Sequence, residues 1–365
     1  MSRVIVGLSG GVDSAVAAKL LLDAGHDVSA VFMKNWDDDD DAAFCPAAQD
    51  LADARDIAAR LGIELQTVSF SAQYWNRVFA FFLEDCAAGR TPSPDIICNR
   101  EIKFRAFLDH ALQLGADCIA TGHYARIEKQ PVVRLLKGVD ERKDQTYFLH
   151  TLDREQLAGS LFPLGGLHKQ EVRDMARAAG FANHAKKDST GICFIGERRF
   201  DEFLARYLAA NPGDIRTLDG QIIGRHQGLM FYTIGQRQGL GIGGLKQSTG
   251  EPWYVAGKDM AANVLYVVQG TNHPALFRPA LLASRVHWIA GTSPGTSPGI
   301  GFECTARIRH QQPVQACTVH SDGDGGTRVE FSEPQRAIAP GQSVVFYSGD
   351  ECLGGAIIEQ ALDSI

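Results

Sequence analysis

The sequence predicts an α/β protein in which an N-terminal doubly wound parallel sheet precedes a small central β-rich domain and a C-terminal β-barrel. Its 365 residues far exceed a typical domain of roughly 150, so two or three domains are expected. The first 125 residues alternate short β-branched apolar runs with longer helical patterns, which is typical of a parallel α/β sheet. After Pro212 and Gly213, short alternating segments between turn residues indicate an all-β part.

Four strands and three helices are predicted in the N-terminal part. The strands are expected at residues 3–8, 28–33, 64–70 and 117–121. Helical periodicity covers residues 14–22, 47–60 and 102–114, and a glycine that can end a helix follows each, at Gly25, Gly62 and Gly115. Two further helices are expected at residues 169–179 and 197–209.

Short strands are predicted in the rest of the chain, at residues 253–257, 264–268, 302–308, 316–320, 328–331 and 343–347. The change of pattern divides the chain into three parts. The predicted domains are an N-terminal domain of residues 1–209, a linking domain of residues 210–275 and a barrel of residues 276–365.

Composition and charge exclude several classes of protein. With 45% hydrophobic residues the chain is too apolar to be disordered. A net charge of −7 argues against bulk coating of nucleic acid, although residues 100–206 carry 18 basic against 15 acidic residues and would meet a polyanion. The absence of an 18-residue apolar run and of a signal-peptide pattern predicts a cytoplasmic protein without a membrane span. None of the eight cysteines forms a CxxC pair, so no metal site in the protein is predicted.

The strongest motif is the segment from Ser9 to Ser14, SGGVDS, between a predicted strand and a predicted helix. Two glycines let the backbone approach an anion, and the helix N-terminus offers N–H groups and a positive dipole end, so a phosphate group is expected there. The lysine of a Walker loop is absent, which favours binding of pyrophosphate as a leaving group after attack at the α-phosphate. The alternative is a tight turn with a serine cap.

With this motif and several others, the sequence resembles the PP-loop ATP pyrophosphatase superfamily, and within it the bacterial tRNA-specific 2-thiouridylase (MnmA) family. The matching blocks are residues 7–14 (GLSGGVDS), 94–99 (PDIICN), 102–104 (IKF), 120–124 (ATGHY), 143–149 (KDQTYFL), 188–196 (DSTGICFIG) and 232–237 (YTIGQR). The β-rich remainder fits the central and barrel domains of that family. SGGxDS alone is shared with synthetases that make amides and nucleotides.

The resemblance implies an adenine-nucleotide α-hydrolase-like N-terminal domain and a reaction in two steps. ATP would adenylate the 2-carbonyl oxygen of the wobble uridine, and sulfur from an enzyme persulfide would then displace AMP. The products would be 2-thiouridine, AMP and pyrophosphate. The implied cofactors are ATP and Mg²⁺. The implied partners are tRNAs for Lys, Glu and Gln and a persulfide donor, either a desulfurase or a relay protein, with the enzyme acting as a monomer.

The resemblance also assigns residues to roles. The catalytic residues would be Asp95, Cys98 and Cys193, and the two cysteines would form a transient disulfide. ATP would be held by Gly7, Leu8, Ser9, Gly10, Gly11, Val12, Asp13, Ser14, Met33 and Gly122. The tRNA and its target base would contact Ser93, Pro94, Asp95, His123, Lys143, Asp144, Gln145, Arg309, His310 and Gln342.

Two cysteines suit sulfur transfer, because one must carry the persulfide and the other can expel that sulfur. Cys98 and Cys193 lie in turn-like sequence, which predicts exposed reactive thiols. The alternative is that both are buried core residues. The other six, Cys45, Cys86, Cys118, Cys304, Cys317 and Cys352, are expected to be packing residues.

Asp95 lies three residues before Cys98, close enough to act on the uracil ring or the thiol as a general acid or base. The alternative is an N-cap for a helix beginning near Asn99. Lys103 and Lys143 could neutralise phosphate on ATP or tRNA, although a lone lysine is usually solvated surface.

The sequence departs from the family pattern at two positions, with Ser93 in place of an asparagine and His310 in place of a tyrosine. Both keep hydrogen-bonding ability, so the same function is expected, whereas the exact base contacts at these two positions are left open. The acidic run from Asp37 to Asp41 would repel RNA unless it is a solvated loop or binds Mg²⁺.

Two other functions are compatible with the nucleotide motif. A PP-loop synthetase would adenylate a carboxylate, but it would leave Cys98 and Cys193 without a role. A tRNA-binding protein with ATP as a structural ligand would release no pyrophosphate. Turnover of ATP to pyrophosphate with and without tRNA separates these alternatives.

Overall fold

The strands and helices come from a computed structural model that describes residues 1–36, 46–186, 199–242, 250–294, 301–321 and 326–363. The strands of the N-terminal domain are β1 (Arg3–Gly7), β2 (Asp27–Lys34), β3 (Leu65–Ser69), β4 (Cys118–Ala120), β5 (Ala125–Glu128), β6 (Arg134–Lys137) and β7 (Ser160–Leu161). The helices are α1 (Val12–Asp23), α2 (Pro46–Leu61), α3 (Ser71–Tyr74), α4 (Ala80–Ala87), α5 (Pro94–Cys98), α6 (Phe107–Gln113), α7 (Thr146–Leu149), α8 (Arg154–Ala158), α9 (Lys169–Ala178) and α10 (Phe200–Leu204).

A five-stranded parallel sheet, in the order β3-β2-β1-β4-β7, forms the centre of this domain. Val4 and Val6 of β1 are fully buried, as expected for a parallel strand covered on both faces. The chain runs from β1 outward to β3 and then returns to place β4 on the other side of β1. The crevice between the carboxyl ends of β1 and β4 is therefore the switch point of the sheet, where such folds bind ligands.

The predicted doubly wound sheet is confirmed, and the four predicted strands agree with β1 to β4 within one or two residues. The helices predicted at residues 14–22, 47–60 and 169–179 correspond to α1, α2 and α9. Gly25, Gly62 and Gly115 have φ values of 81°, 68° and 81°, the left-handed conformation that ends a helix.

Two helical predictions were wrong in extent. The helix predicted at residues 102–114 begins much earlier, at Pro94, and runs through α5, a π-helical segment (Asn99–Ala106) and α6. Pro94 is suited to that start because its missing N–H would have no partner in the first turn. The helix predicted at residues 197–209 is much shorter, since among its described residues only α10 is α-helical.

The central domain is a four-stranded sheet in the order β10-β11-β8-β9. Its strands are β8 (Gly213–Arg216), β9 (Ile222–His226), β10 (Trp253–Asp259) and β11 (Val264–Gln269). Ile215, Val255 and Val267 are fully buried and give this sheet its own core. The linking domain that the sequence predicted is therefore β-rich.

The C-terminal part is a closed six-stranded antiparallel barrel, as predicted. Its strands are β12 (Phe277–Trp288), β13 (Phe302–Arg307), β14 (Gln315–Ser321), β15 (Thr327–Arg336), β16 (Ser343–Ser348) and β17 (Glu351–Leu362). The pairing of β12 with β17 closes it. Strand β17 also pairs with β6, so the β5–β6 hairpin of the N-terminal domain extends the barrel sheet. Across the described residues, no helix has the length and apolar character needed to cross a membrane.

Candidate functional site

The loop after β1 has the geometry of an anion site. Gly10 has a φ of 76°, and a Cβ at that position would lie 2.3 Å from the backbone carbonyl oxygen of Asp50, so only glycine fits. Gly11 is the N-cap of α1 and supplies no side chain to cap the first N–H groups. Helix α1 therefore presents amide groups and the positive end of its dipole at the switch point of the sheet.

Two serines close this loop on itself. The hydroxyl of Ser14 donates to the carbonyl oxygen of Gly11 at 3.0 Å and lies 3.2 Å from the hydroxyl of Ser9. The amide of Ser9 donates to the same Ser14 oxygen at 3.2 Å. The loop conformation is thus fixed before any ligand binds.

The segment after β4 packs directly against this loop. A Cβ on Gly122 would lie 2.7 Å from the carbonyl carbon of Asp13, so glycine allows the two segments to touch. The hydroxyl of Tyr124 donates to Oδ1 of Asp13 at 2.8 Å. Beside Gly7, the Cε atom of Met33 lies 3.1 Å from where a Cβ would be. The structure therefore brings Met33 and Gly122 to residues 7–14, which we call the nucleotide loop. Their contact with ATP stays a prediction.

Sequence reasoning missed Lys169, the first residue of α9. Its Nζ lies 2.7 Å and 2.8 Å from the two carboxylate oxygens of Asp13. Its ammonium group is also 5.7 Å from the ring centre of Tyr124. Lys169 lies 156 positions after Asp13, and a single lysine at the start of a helix carries no signal that would have predicted this contact.

Cys98 is the last residue of α5 and is only 3% exposed. It packs in the main apolar cluster of the N-terminal domain, close to Ile96 and Ile102 in sequence. The prediction of an exposed thiol in a turn was wrong, because the helix begins at Pro94 and carries Cys98 into the core. The adjoining π-helical segment is a rare conformation that often marks functional sites.

Asp95 lies in the first turn of α5, so the alternative that it caps a helix near Asn99 was wrong. Burial raises the pKa of its carboxyl group above the ordinary value, and the positive charge of Lys103 partly opposes that rise. A carboxyl group with a raised pKa can exchange a proton closer to neutral pH.

His123 is buried and lies against the rings of Phe104 and Phe162. Its Nδ1 atom lies 2.8 Å from the hydroxyl of Thr121. Burial, and secondarily the charge of Lys103, lower its pKa well below 6.5, so the imidazole is neutral at pH 7. His123 can therefore act toward a ligand as a hydrogen-bonding group without charge.

The start of the Cys98 helix is held by all three domains. From the barrel, Gln342 donates through Nε2 to the carbonyl oxygen of Thr91 at 2.7 Å and lies 3.3 Å from the hydroxyl of Ser93. From the central domain, the hydroxyl of Thr233 lies 3.1 Å from that of Thr91. The structure thus brings Ser93 and Gln342, which the resemblance assigns to the tRNA-contacting residues, into one contact.

The segment from Lys143 to Gln145 also joins several parts of the protein. The side chain of Gln145 accepts a hydrogen bond from the amide of Tyr124 at 2.9 Å. The Nε2 atom of His310, from the barrel, lies 2.9 Å from the carbonyl oxygen of Asp144. This segment is therefore connected through Tyr124 to Asp13 of the nucleotide loop.

Two residues predicted to contact tRNA have their side chains engaged inside the protein. The carboxylate of Asp144 is fully buried and lies 3.2 Å from Nη1 of Arg307. The guanidinium of Arg309 donates to the carbonyl oxygens of Ile234 at 2.7 Å and Ala337 at 3.0 Å. Both side chains join domains, and the buried carboxylate of Asp144 does not face the RNA. Contact of half-buried Arg309 with tRNA stays a prediction.

Cys193 lies outside the described residues, together with its whole motif at residues 188–196, and so do Cys45 and the acidic run from Asp37 to Asp41. The Cys98–Cys193 disulfide and the role of the acidic run stay predictions. The expected packing role is confirmed for four buried cysteines, Cys86, Cys118, Cys317 and Cys352. Cys304 is half-buried, and its Sγ lies 3.6 Å from that of Cys317.

Comparisons with known proteins agree over almost the whole chain. Residues 2–197 match the family model described as the tRNA methyl transferase HUP domain. Residues 201–269 match its PRC-barrel domain, and residues 278–358 match the model described as the aminomethyltransferase beta-barrel domain.

Two relatives are similar over nearly their full length. A protein named tRNA-specific 2-thiouridylase MnmA from Methylococcus capsulatus is 60% identical over 98% of this chain and 96% of its own. A protein of the same name from Alcanivorax borkumensis is 57% identical over 98% of both chains. A solved complex of a 4-thiouridine synthetase with RNA and ATP covers 56% of this chain and 50% of its own, at 16% identity and a TM-score of 0.34, a likeness too weak to identify a shared substrate.

Proposed function

Because the chain belongs to the tRNA-specific 2-thiouridylase family, we propose that it activates the wobble uridine of tRNA with ATP and replaces its 2-oxygen by sulfur. The observation that carries this proposal is the 60% identity to a relative of that name over 98% of the chain. The name of the family model that matches residues 2–197 refers to methyl transfer. The agreement with named thiouridylases over all three matched regions favours thiolation.

The nucleotide loop supports a role for ATP. The amides at the start of α1 suit the β- and γ-phosphates, and the hydroxyls of Ser9 and Ser14 lie beside them. Met33 and Gly122 border the same loop and suit the adenosine end. In the first step the uridine 2-oxygen attacks the α-phosphate, and pyrophosphate leaves toward the N-terminus of α1.

Mg²⁺ is proposed to enter with the nucleotide. Among the described residues, no group of three or more His, Cys, Asp or Glu side chains could hold a metal ion. Both carboxylate oxygens of Asp13 accept hydrogen bonds from Lys169, so this residue does not fit as a direct ligand. Mg²⁺ would therefore enter with ATP, held by phosphate oxygens and water at the described part of the site, and would supply positive charge for the leaving pyrophosphate.

The second step uses both cysteines. The terminal sulfur of a Cys193 persulfide attacks C2 of the uridine, and AMP leaves. The Cys98 thiolate then attacks Sγ of Cys193, which releases the thiouridine sulfur and forms a Cys98–Cys193 disulfide. A thiol reductant must reopen this disulfide before the next turnover. In the alternative order, Cys98 first expels the sulfur from the persulfide, and the released sulfide attacks C2.

Asp95 and His123 are proposed to act on the target base. Asp95 lies one helical turn before Cys98, and its raised pKa suits proton exchange with the uracil ring or the thiol. The neutral imidazole of His123 can hydrogen-bond to the base. The proposed tRNA contacts are Ser93, Lys143, Gln145, His310 and Gln342. The proposed substrates are tRNAs for Lys, Glu and Gln. A persulfide-bearing protein supplies the sulfur, and the enzyme acts as a monomer.

The test is a thiolation assay with purified tRNA, ATP and a persulfide donor, followed by nucleoside mass spectrometry. The wild-type protein should form 2-thiouridine and release pyrophosphate only when tRNA is present. Cys98→Ser and Cys193→Ser should retain ATP and tRNA binding and lose multiple-turnover thiolation, whereas Cys118→Ala should behave as wild type. Pyrophosphate release with a small carboxylic acid instead of tRNA would favour a synthetase, and tRNA binding without any pyrophosphate release would favour a binding protein.

A further inference from the structure

The backbone amide and the side-chain ammonium group of Lys169 each contact an aspartate. Its backbone amide donates to a carboxylate oxygen of Asp140 at 2.9 Å, and its side chain is only 11% exposed. The side chain reaches from the start of α9 to the start of α1, where its ammonium group meets the carboxylate of Asp13. A lysine that is buried to this degree rarely serves only as solvated surface.

Asp13 is held by three hydrogen bonds from two residues. Lys169 donates to Oδ1 at 2.7 Å and to Oδ2 at 2.8 Å, and the hydroxyl of Tyr124 adds a bond to Oδ1 at 2.8 Å. The backbone of Gly122 lies against the same residue. The carboxylate therefore has one favoured position.

Lys169 compensates the negative charge that Asp13 places at the proposed phosphate site. Asp13 lies in the first turn of α1, beside the amides that suit the phosphates of ATP. An uncompensated carboxylate there would repel a polyphosphate, and partial burial would strengthen the repulsion. A lysine in a direct ion pair cancels that charge. It does so without occupying the amides.

We propose that Lys169 is a positioning residue of the nucleotide site: it neutralises Asp13 and, with Tyr124, fixes the carboxylate so that the loop accepts the phosphates of ATP. This inference rests on the proposed ATP-dependent function. The lysine of a Walker loop contacts phosphate directly, whereas this lysine comes from a distant helix and uses its hydrogen bonds on a carboxylate.

The test is equilibrium binding of Mg·ATP, by calorimetry, to the wild type, Lys169→Met, Lys169→Arg, Asp13→Asn and the double variant Asp13→Asn/Lys169→Met. Methionine keeps the apolar stem and removes the charge. Lys169→Met should weaken ATP binding by about tenfold or more, because one negative charge is left beside the phosphates. Lys169→Arg should recover part of the loss. The double variant should bind ATP within about threefold of Asp13→Asn, since no carboxylate charge then needs a partner.

Two outcomes would overturn the inference. In the first, Lys169→Met loses as much ATP affinity relative to the wild type as the double variant loses relative to Asp13→Asn. This result would show that Lys169 binds phosphate directly. Unchanged ATP affinity in Lys169→Met would give it a structural role only. If Lys169→Met does not fold, comparison of the double variant with Asp13→Asn is decisive, because both lack the Asp13 carboxylate and differ only in the ammonium group of Lys169. A large loss of ATP affinity in the double variant relative to Asp13→Asn would then show that Lys169 binds phosphate directly and would overturn the inference. Failure of the wild type to bind ATP would contradict the proposed function itself and is seen before any variant is measured.

Discussion

Arg307, at the end of β13, lies 3.2 Å from the carboxylate of Asp144 in the N-terminal domain, and the two side chains are 11% and 0% exposed. The hydroxyl of Thr146 approaches both oxygens of the same carboxylate at 2.9 Å. The guanidinium of Arg307 also stacks over the ring of Tyr347 at 5.0 Å. A buried ion pair therefore joins the barrel to the segment that carries Lys143 and Gln145.

Removal of one partner of this pair should strongly destabilise the protein. Arg307→Met leaves a buried carboxylate without its counter-ion, and the free energy of unfolding should fall by about 3 kcal/mol. Urea denaturation measures this change. The double variant Asp144→Asn/Arg307→Met should lose less than Arg307→Met alone. The exposed pair of Lys19 and Asp23 is the control, since Asp23→Asn should cost at most about 0.5 kcal/mol.

The two cations predicted to bind tRNA should behave differently. Lys143 lies half-buried in a turn, so Lys143→Ala should weaken tRNA binding and reduce the slope of log affinity against log salt by about one. The guanidinium of Arg309 bonds to two backbone carbonyls, so Arg309→Ala should chiefly lower the melting temperature. Filter binding at several salt concentrations, together with melting curves, separates these effects. If Arg309→Ala instead reduces the slope of log tRNA affinity against log salt while stability is unchanged, Arg309 contacts the RNA.

Local patterns predicted the elements that depend on local chemistry. Gly10 and Gly11 mark the nucleotide loop because the backbone conformation and the lack of space at position 10 demand glycine. Strands β1 and β2 are apolar runs bounded by turn signals. Contacts between distant segments have no corresponding local sequence pattern. The pairing of Lys169 with Asp13 and the burial of Cys98 depend on how helices pack, which no local pattern records.

The sequence did not predict the two long barrel strands, β12 and β17, because they too depend on contacts between distant segments. Strand β17 contains Gly354 and Gly355, a pair that predicts a turn. In the barrel a Cβ on Gly354 would lie 2.0 Å from the carbonyl oxygen of His287, so glycine is required where β17 crosses β12. Strand β12 carries Arg285 with a φ of 52°, at an irregularity in the pairing with β17. Closure of the barrel, rather than β propensity, sets these two strands.

His150 should make stability fall at acidic pH. It is 1% exposed, and burial lowers its pKa from 6.5 to about 4. The unfolded chain then binds a proton that the folded protein does not, so its contribution to stability is full above pH 6.5 and is lost as the pH falls toward 4. Between pH 7 and pH 5 this amounts to about 2 kcal/mol.

The measurement is the free energy of unfolding of the wild type and His150→Asn at both pH values. The variant should show a smaller decrease between pH 7 and pH 5, although its stability at pH 7 is lower because the bond to the carbonyl oxygen of Tyr147 changes. The exposed His168 provides the control, because His168→Gln should keep the wild-type decrease. An identical decrease in all three proteins would show that His150 is protonated in the folded state.

Asp95 should determine how the thiolation rate falls at acidic pH. If Asp95 acts as a base, the rate falls as the pH drops through its raised pKa. This acid limb of the pH–rate profile therefore lies at a higher pH than the ordinary pKa of an aspartate would give. Asp95→Asn should lower the rate constant of single-turnover thiolation and remove this limb while leaving ATP binding intact. Asp109→Asn, on the neighbouring α6, is the control and should leave the pH profile unchanged. A wild-type profile in Asp95→Asn would exclude Asp95 as the acid or base.

The cysteine pair of the barrel should form a disulfide under mild oxidation. Cys304 and Cys317 lie directly opposite each other on β13 and β14, with their Sγ atoms 3.6 Å apart. A bonded pair needs about 2.05 Å, so a small side-chain movement suffices. The contact with Cys304 and burial raise the pKa of the Cys317 thiol, so half-buried Cys304 should react first with a peroxide. Its sulfenic acid is then attacked by Cys317, with loss of water.

Peptide mass spectrometry after treatment with hydrogen peroxide should show a Cys304–Cys317 linkage with the loss of two hydrogens. Because the bond closes a short loop of the unfolded chain, the oxidised protein should gain up to about 3 kcal/mol in unfolding free energy. Cys304→Ser should show neither the linkage nor the gain, whereas Cys352→Ala, which removes a fully buried thiol elsewhere in the barrel, should still form the linkage. Persistence of two reduced thiols at peroxide levels that oxidise other cysteines of the protein would refute this pairing.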